Sequence, residues 1–205
     1  MKQVAIIIFD DFTDIDLFLF WDILGRDKES WDIKILGTQS QHISRNGLSV
    51  STHGHVSESH TADVVFFTSG IETRKLIKDT EFLKSFSLNP SKQLIGSICS
   101  GALILGALGF LENMKATTYP TAKTELQNMG IEVVDMPFVC QGNIATAGGC
   151  LAAQYLAGWI IQRIYGEDKK RKYLREIFPV GQYDIYEKLL NSSIEAGLLQ
   201  NEEIH

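Results

Sequence analysis

Cysteines and long apolar runs are both scarce in this sequence. Its three cysteines lack the even number and regular spacing of a disulfide framework, which indicates free thiols in a reducing compartment. No run approaches the roughly 18 apolar residues that a membrane-spanning helix needs. The first apolar run is short and ends at Asp10, which does not fit a signal peptide. We therefore expect a cytoplasmic protein with no membrane partner.

Clustered positive charge is also missing. The formal net charge is -6, and the one basic run, at 169–172, is typical of a solvated helix face. A nucleic-acid partner is not expected. The 205 residues, with 44% apolar and 21% charged side chains, are typical of one folded domain. We predict a single domain over 1–205, with its core over about 4–166 and a helical C-terminal tail.

Strand-like and helix-like patterns alternate along the chain. Strands are predicted over 4–9, 31–36, 62–67, 93–97, 116–119, 131–134, 138–140 and 143–146, with a hairpin over 42–52. Helices are predicted over 16–24, 72–78, 101–111, 121–129 and 147–165. This alternation predicts an α/β protein with a doubly wound, mostly parallel sheet and helices on both faces.

A cysteine follows one of the predicted strands at the start of a helix. The segment 94–102 (LIGSICSGA) places small residues on both sides of Cys99, which is the pattern of a nucleophile elbow. The positive end of the helix dipole should lower the pKa of this thiol. A buried, inert cysteine is the alternative. Cys140 is expected in the core, and Cys150 on a buried helix face.

Four segments carry family-like motifs in order along the chain. They are 9–17 (FDDFTDIDL), 67–74 (FTSGIETR), 98–102 (ICSGA, followed by Gly109 and by ATT at 116–118) and 146–149 (TAGG). Together they resemble the ThiJ/PfpI superfamily, which has a flavodoxin-like, class I glutamine amidotransferase-like fold. The similarity is greatest to its isonitrile-hydratase-like branch.

This resemblance implies a cysteine-dependent hydratase or hydrolase that acts on a small electrophile, isonitrile-hydratase-like or glyoxalase-like. Cys99 would be the nucleophile, and the backbone N–H groups of Gly70 and Ser100 would stabilise the developing negative charge. Asp16 would transfer the proton, and Tyr119 would line the substrate pocket. No cofactor is implied.

The sequence leaves two candidates for the acidic partner of the thiol, Asp16 and Asp22. Relatives usually carry a glutamate in the first helix, where this chain has Asp22. Asp16 is favoured because it follows the first strand, and ligands bind at the carboxyl ends of the strands in such sheets. Asp16 would serve equally well as a helix N-cap. Asp22 is retained as a candidate substrate contact. A further departure is Thr68-Ser69, where relatives have Pro-Gly.

Imidazole is missing where a peptidase would need it. The only histidine after Cys99 is His205, so a Cys-His peptidase or glutaminase is disfavoured. His53, His55 and His60 fall in and after a polar hairpin, and a solvated role is favoured over a metal site. No metal is expected. Two alternatives stay open: an intracellular protease-like or amidase-like hydrolase, and a non-catalytic thiol sensor or ligand-binding protein.

The resemblance also implies an oligomeric state. Members of the superfamily commonly form homodimers, and the apolar stretch 18–21 (FLFW) is a natural contact for a second copy. The same stretch would serve equally well as a core face. The expected partners are therefore a small-molecule substrate and a second copy of this chain.

Overall fold

Strands and helices alternate in the computed structural model, which describes residues 1–199. The strands are Lys2–Ile7 (β1), Trp31–Gly37 (β2), Gln41–Ile43 (β3), Ser49–Ser51 (β4), Gly54–His55 (β5), Val64–Phe67 (β6), Leu94–Ile98 (β7), Lys115–Ala116 (β8), Glu132–Val133 (β9), Phe138–Gln141 (β10) and Ile144–Ala147 (β11). The helices are Asp14–Gly25 (α1), Thr73–Leu76 (α2), Thr80–Lys84 (α3), Gly101–Ala107 (α4), Lys123–Asn128 (α5), Ala153–Tyr165 (α6), Glu167–Arg175 (α7) and Tyr183–Leu199 (α8). Residues 200–205, with His205 and the end of the predicted domain, lie outside the described part.

The central sheet confirms the predicted fold class. Its order is β10-β11-β7-β6-β1-β2-β5, and every pair except β10 with β11 is parallel. Helices flank both of its faces. The β-branched run of β1 forms a central strand, and Ile6 lies opposite both Ile35 of β2 and Phe66 of β6. All three side chains are buried, as expected for a strand covered on both faces.

Some elements differ from their predicted bounds. The hairpin forms as the antiparallel pair β3 and β4, outside the central sheet. The strand predicted over 116–119 is only Lys115–Ala116. The next two residues form hydrogen bonds with Thr146 and Cys99 instead of pairing with a neighbouring strand. Thr117 N–H donates to Thr146 Oγ1, and the Thr118 hydroxyl donates to the Cys99 carbonyl oxygen. Helix α3 was not predicted.

Two glycines let backbones approach each other around the thiol. A Cβ atom at Gly101 would lie 2.7 Å from the carbonyl oxygens of both Phe67 and Thr68. A Cβ atom at Gly70 would lie 2.4 Å from the carbonyl oxygen of Asp11. The start of α4 can therefore lie against the end of β6 because Gly101 has no side chain, and Gly70 can lie against the loop after β1 for the same reason.

The last described helix covers one end of the sheet. Helix α8 lies along β10, which is an edge strand. A Cβ atom at Gly197 would lie 2.5 Å from the Phe138 carbonyl oxygen, so the helix backbone directly contacts the strand backbone. Within residues 1–199, no helix combines the length and apolar character needed to cross a membrane.

The close approach at Gly101 predicts a stability difference between two glycine substitutions. Gly101→Ala should lower the free energy of unfolding by about 1–3 kcal/mol, because its methyl group meets two fixed carbonyl oxygens. Gly25→Ala is the matched control, since its Cβ atom would meet nothing closer than 3.6 Å. It should change stability by less than about 1 kcal/mol. Urea denaturation measures both, and equal effects would contradict the packing argument.

Candidate active site

The Cys99 backbone adopts a left-handed conformation between β7 and α4. Its φ is 49°, which is uncommon for a residue with a side chain. The Cys99 N–H donates to the Ala147 carbonyl oxygen at 2.7 Å, and the Thr118 hydroxyl donates to the Cys99 carbonyl oxygen at 2.7 Å. These bonds hold the residue in a conformation that costs about 1–3 kcal/mol. The structure therefore places Cys99 at a sharp strand-to-helix elbow.

Asp16 reaches the thiol from the first turn of α1. The side chain is fully buried, and the Ser69 hydroxyl and N–H donate to Oδ2 at 2.5 and 3.2 Å. Thr13 holds the N-cap position, so Asp16 is not the helix cap. A carboxylate oxygen of Asp16 lies within 4.8 Å of the sulfur atoms of both Cys99 and Cys150. The structure thus brings Asp16 and Cys99 together.

Burial has the largest effect on the pKa of the Asp16 carboxyl. Removal from water raises the pKa of this carboxyl, while hydrogen bonds with Ser69 and Cys150 oppose the rise only in part. The protonated form is therefore favoured relative to an exposed aspartate. A buried carboxyl that keeps its proton can donate it to a bound molecule.

Cys150 is a second thiol at the site, and its assignment to a buried helix face is wrong. It begins a 3-10 turn, Cys150–Ala152, just after β11, and it is only partly buried. Strands β7 and β11 are parallel neighbours, so the residues that follow them meet at the same edge of the sheet. The sulfur atoms of Cys99 and Cys150 consequently lie within 4.8 Å of each other.

The two thiols share a hydrogen bond, and it affects their pKa values in opposite directions. It raises the pKa of Cys99, where burial and the charge of Asp16 act in the same direction and the Gly149 N–H opposes them. The same bond lowers the pKa of Cys150. The lowered pKa predicted for Cys99 is therefore wrong, because the neighbouring thiol outweighs the dipole of the seven-residue helix α4. Ionisation of Cys150 is thereby favoured over that of Cys99.

These groups open into a cavity of about 480 Å³. Its lining residues are Thr13, Arg45, Ser69, Gly70, Ile71, Arg74, Cys99, Ser100, Tyr119, Thr121 and Cys150. Tyr119 is among these residues and is 47% exposed, and its contact with a substrate stays a prediction. The two arginines were not predicted. Arg74 donates to Glu125 at 2.8 Å and to the Thr121 carbonyl oxygen at 2.7 Å, whereas Arg45 extends from an exposed loop position.

The two predicted oxyanion donors contact each other. Gly70 N–H donates to the Ser100 hydroxyl oxygen at 3.1 Å, and that hydroxyl also lies 3.1 Å from the Gly70 carbonyl oxygen. A substrate oxygen would have to displace the Ser100 hydroxyl to accept a bond from Gly70 N–H. Both residues line the cavity, and their role as oxyanion donors stays a prediction.

Asp22 lies away from the site, and its prediction as a substrate contact is wrong. Its side chain is exposed on α1 and accepts a hydrogen bond from Arg26 at 2.5 Å. Arg26 also reaches Glu176. Asp22 follows Asp16 by six residues, which places it about 240° around the helix. The role of Asp22 in the structure is this surface ion pair with Arg26.

The histidines of the hairpin region have local contacts. His53, His55 and His60 are exposed, and His53 Nδ1 accepts a hydrogen bond from Ile35 N–H. A more compact set of potential metal ligands is formed by Asp16, Cys99 and Cys150, which offer two sulfurs and one oxygen.

Comparison with known proteins gives one family and two informative relatives. A model of the DJ-1/PfpI family matches residues 2–163. An isonitrile hydratase of Pseudomonas putida is 25% identical over 167 residues, which are 81% of this chain and 73% of the relative. The glutathione-independent glyoxalase DJ-1 of Schizosaccharomyces pombe is 23% identical over 182 residues, which are 82% of this chain and 94% of the relative.

Solved structures show the same fold. A ThiJ/PfpI family protein from Pseudomonas syringae superposes with a TM-score of 0.77 and 20% identity, covering 98% of this chain and 90% of the other. Drosophila melanogaster DJ-1beta gives a TM-score of 0.74 and 19% identity, covering 86% and 97%. At these identities the likeness concerns the fold and not the substrate.

The contact between Asp16 and the thiol pair predicts a pH effect. Asp16→Asn removes a negative charge that opposes ionisation of both thiols, so alkylation of Cys99 and Cys150 should move to lower pH by about one to two units. Asp22→Asn is the matched control and should leave the profile unchanged. Rates of iodoacetamide labelling, measured by peptide mass spectrometry across pH, test this. A shift with Asp22→Asn alone would contradict the assignment.

Proposed function

The chain belongs to the DJ-1/PfpI family, and from that premise we propose that it is an enzyme that adds water to a small electrophile by covalent catalysis at Cys99. Asp16 moves the protons, and Cys150 holds the proton that Cys99 releases. The substrate enters the cavity lined by Tyr119 and Arg45. No metal or cofactor takes part in the proposed reaction.

One observation carries this proposal. A nucleophile on a strained elbow, a buried carboxyl with a raised pKa and a second thiol have reactive atoms within 4.8 Å of one another, and the two thiols line a cavity large enough for a small molecule. Within residues 1–199 no imidazole lines the cavity, so Cys99 needs another proton acceptor. Cys150 can supply one in its ionised form, which the hydrogen bond with Cys99 favours.

Hydration of an isonitrile illustrates the proton balance. Cys99 passes its proton to the Cys150 thiolate and attacks the terminal carbon, which takes a proton from Asp16 to give a thioimidate. Water then adds across the carbon–nitrogen double bond through Asp16, with hydroxyl on carbon and hydrogen on nitrogen. As the carbon–sulfur bond breaks, the hydroxyl proton of the adduct passes to Asp16 and a formamide leaves. The Cys99 thiolate then takes its proton back from Cys150, so the three side chains return to their starting protonation states.

The names of the relatives guide the choice of substrates. One is called an isonitrile hydratase and another a glutathione-independent glyoxalase, so isonitriles and 2-oxoaldehydes are the first classes to examine. With a 2-oxoaldehyde, negative charge would develop on the carbonyl oxygen, where Gly70 N–H and Ser100 would stabilise it. The guanidinium group of Arg45 favours substrates that also carry an anionic substituent.

A non-catalytic thiol sensor is the second candidate. It is favoured by the 4% exposure of Cys99 and by the presence of a second sulfur beside it. A protease-like role has less support, because none of the histidines in residues 1–199 lines the cavity, where an imidazole would have to protonate an amine leaving group.

We also propose a homodimer that uses helix α1. Phe20 belongs to the core, where it stacks on Phe66 at 4.0 Å, but Ile15 and Phe18 are 43% and 42% exposed on one side of the helix. Two exposed apolar side chains at this spacing form a patch that a second copy would cover. Light scattering should give twice the chain mass for wild type and a lower mass for Phe18→Glu. A monomeric wild type would contradict the proposal.

Turnover with matched variants tests the enzymatic proposal. Wild type should convert a member of one substrate class, and Cys99→Ala should lose at least about a hundredfold in kcat/KM because no covalent adduct forms. Asp16→Asn should lower kcat by about 10²–10⁴-fold, as expected for a lost proton donor. Cys140 is a buried cysteine of β10 that does not line the cavity, so Cys140→Ala is the matched control and should keep the wild-type rate. Turnover that survives in Cys99→Ala would overturn the mechanism.

A further inference from the structure

Two thiols meet in this cavity, although a covalent adduct needs only one. Cys99 and Cys150 both line the cavity, their sulfur atoms lie within 4.8 Å, and a hydrogen bond connects them. We propose that these two residues form a reversible intramolecular disulfide when the cavity admits a hydroperoxide. The proposal makes Cys150 a site of oxidative modification and makes the protein able to reduce a peroxide.

Formation of the disulfide requires one of the sulfurs to move. The bond length is about 2.05 Å, so the two atoms must approach by no more than about 3 Å. Cys99 is held by its bonds to Ala147 and Thr118. Cys150 follows Gly149, whose φ is 92° and where a Cβ atom would meet nothing within 4 Å. Space is therefore open on one side of the Gly149 backbone, although its carbonyl oxygen accepts the Ala152 N–H at 2.8 Å. Cys150, the more exposed of the two cysteines, is the residue that moves.

The chemistry balances with a hydroperoxide as the only oxidant. The Cys150 thiolate attacks the outer peroxide oxygen, the oxygen–oxygen bond breaks, and an alcohol leaves after taking up a proton. The Cys99 sulfur then attacks the Cys150 sulfenic acid, a sulfur–sulfur bond forms, and water leaves with the Cys99 proton. Two thiols have lost two electrons to the peroxide. An external dithiol restores them by exchange.

The order of oxidation follows from exposure and ionisation. Cys150 is the more accessible of the two sulfurs, and the hydrogen bond from Cys99 lowers its pKa. Thiolates react with peroxides much faster than thiols do. Cys99 is nearly buried and keeps its proton, so it is suited to capture the sulfenic acid formed next to it.

The disulfide would also control the site. Because it removes the Cys99 nucleophile, peroxide would stop the hydration reaction until a dithiol is added; this consequence alone rests on the proposed function. The disulfide itself requires no substrate, so it can be measured on the protein whether or not the hydration proposal survives.

Mass spectrometry after peroxide treatment tests the inference. Wild-type protein exposed to stoichiometric hydrogen peroxide should lose the mass of two hydrogen atoms, yield a peptide linking Cys99 to Cys150, and return to its original mass with dithiothreitol. Cys99→Ser should instead accumulate sulfenic acid on Cys150, which dimedone traps. Cys140→Ala is the matched control and should behave like wild type, since burial raises the pKa of Cys140 to about 12.

Two results would overturn the inference. One is wild-type protein in which Cys99 or Cys150 proceeds to sulfinic acid with no linked peptide. The other is a linked peptide that contains Cys140. Since the linked peptide is read from wild type, neither result depends on whether a variant folds.

Discussion

The left-handed backbone of Cys99 is stabilised by elements that are distant in sequence. The Ala147 carbonyl oxygen at the end of β11 accepts its N–H, and the Thr118 hydroxyl bonds to its carbonyl oxygen. Gly101, the second residue after Cys99, lets α4 begin against the end of β6. A strained conformation persists only where surrounding contacts outweigh its cost. Here the ends of the parallel strands β6, β7 and β11 supply them together with Thr118, which follows β8, so the position of the sulfur depends on this whole edge of the sheet.

At that edge the chain carries a second sulfur where many thiol enzymes carry an imidazole. A cysteine pair differs from a Cys-His pair because its two partners have the same intrinsic acidity, so their surroundings decide which of the two ionises more readily. The buried carboxyl of Asp16 adds a third proton site, and burial raises its pKa. The protonation states of Asp16, Cys99 and Cys150 are therefore coupled to one another.

Local sequence patterns predicted what depends on local physics. The β-branched run of β1 and the small residues around Cys99 sufficed for the parallel sheet and the elbow. Asp16 and Asp22 could have been separated from sequence as well, since six residues place them on different sides of a helix. Considering the α4 dipole alone gave the wrong pKa direction for Cys99, because the dominant neighbour belongs to another element.

Cys150 and the arginines of the cavity could not be found in the same way. Cys150 follows β11 and Cys99 follows β7, and about 50 residues separate them along the chain. Their contact depends on β11 lying beside β7, which no local pattern encodes. Arg45 comes from the turn between β3 and β4, and Arg74 comes from helix α2. The only available signal was two cysteines that each follow a predicted strand.

The contact between α8 and β10 has a consequence for how molecules of this protein meet one another. An edge strand offers unpaired backbone groups that can recruit a strand from another chain. Here the backbone of Gly197 lies against the Phe138 carbonyl oxygen, so the helix occupies the side from which such a strand would approach. The C-terminal helix thereby protects the sheet from growing into an intermolecular assembly, and a chain that ended before residue 183 would lose colloidal stability even with its cavity intact.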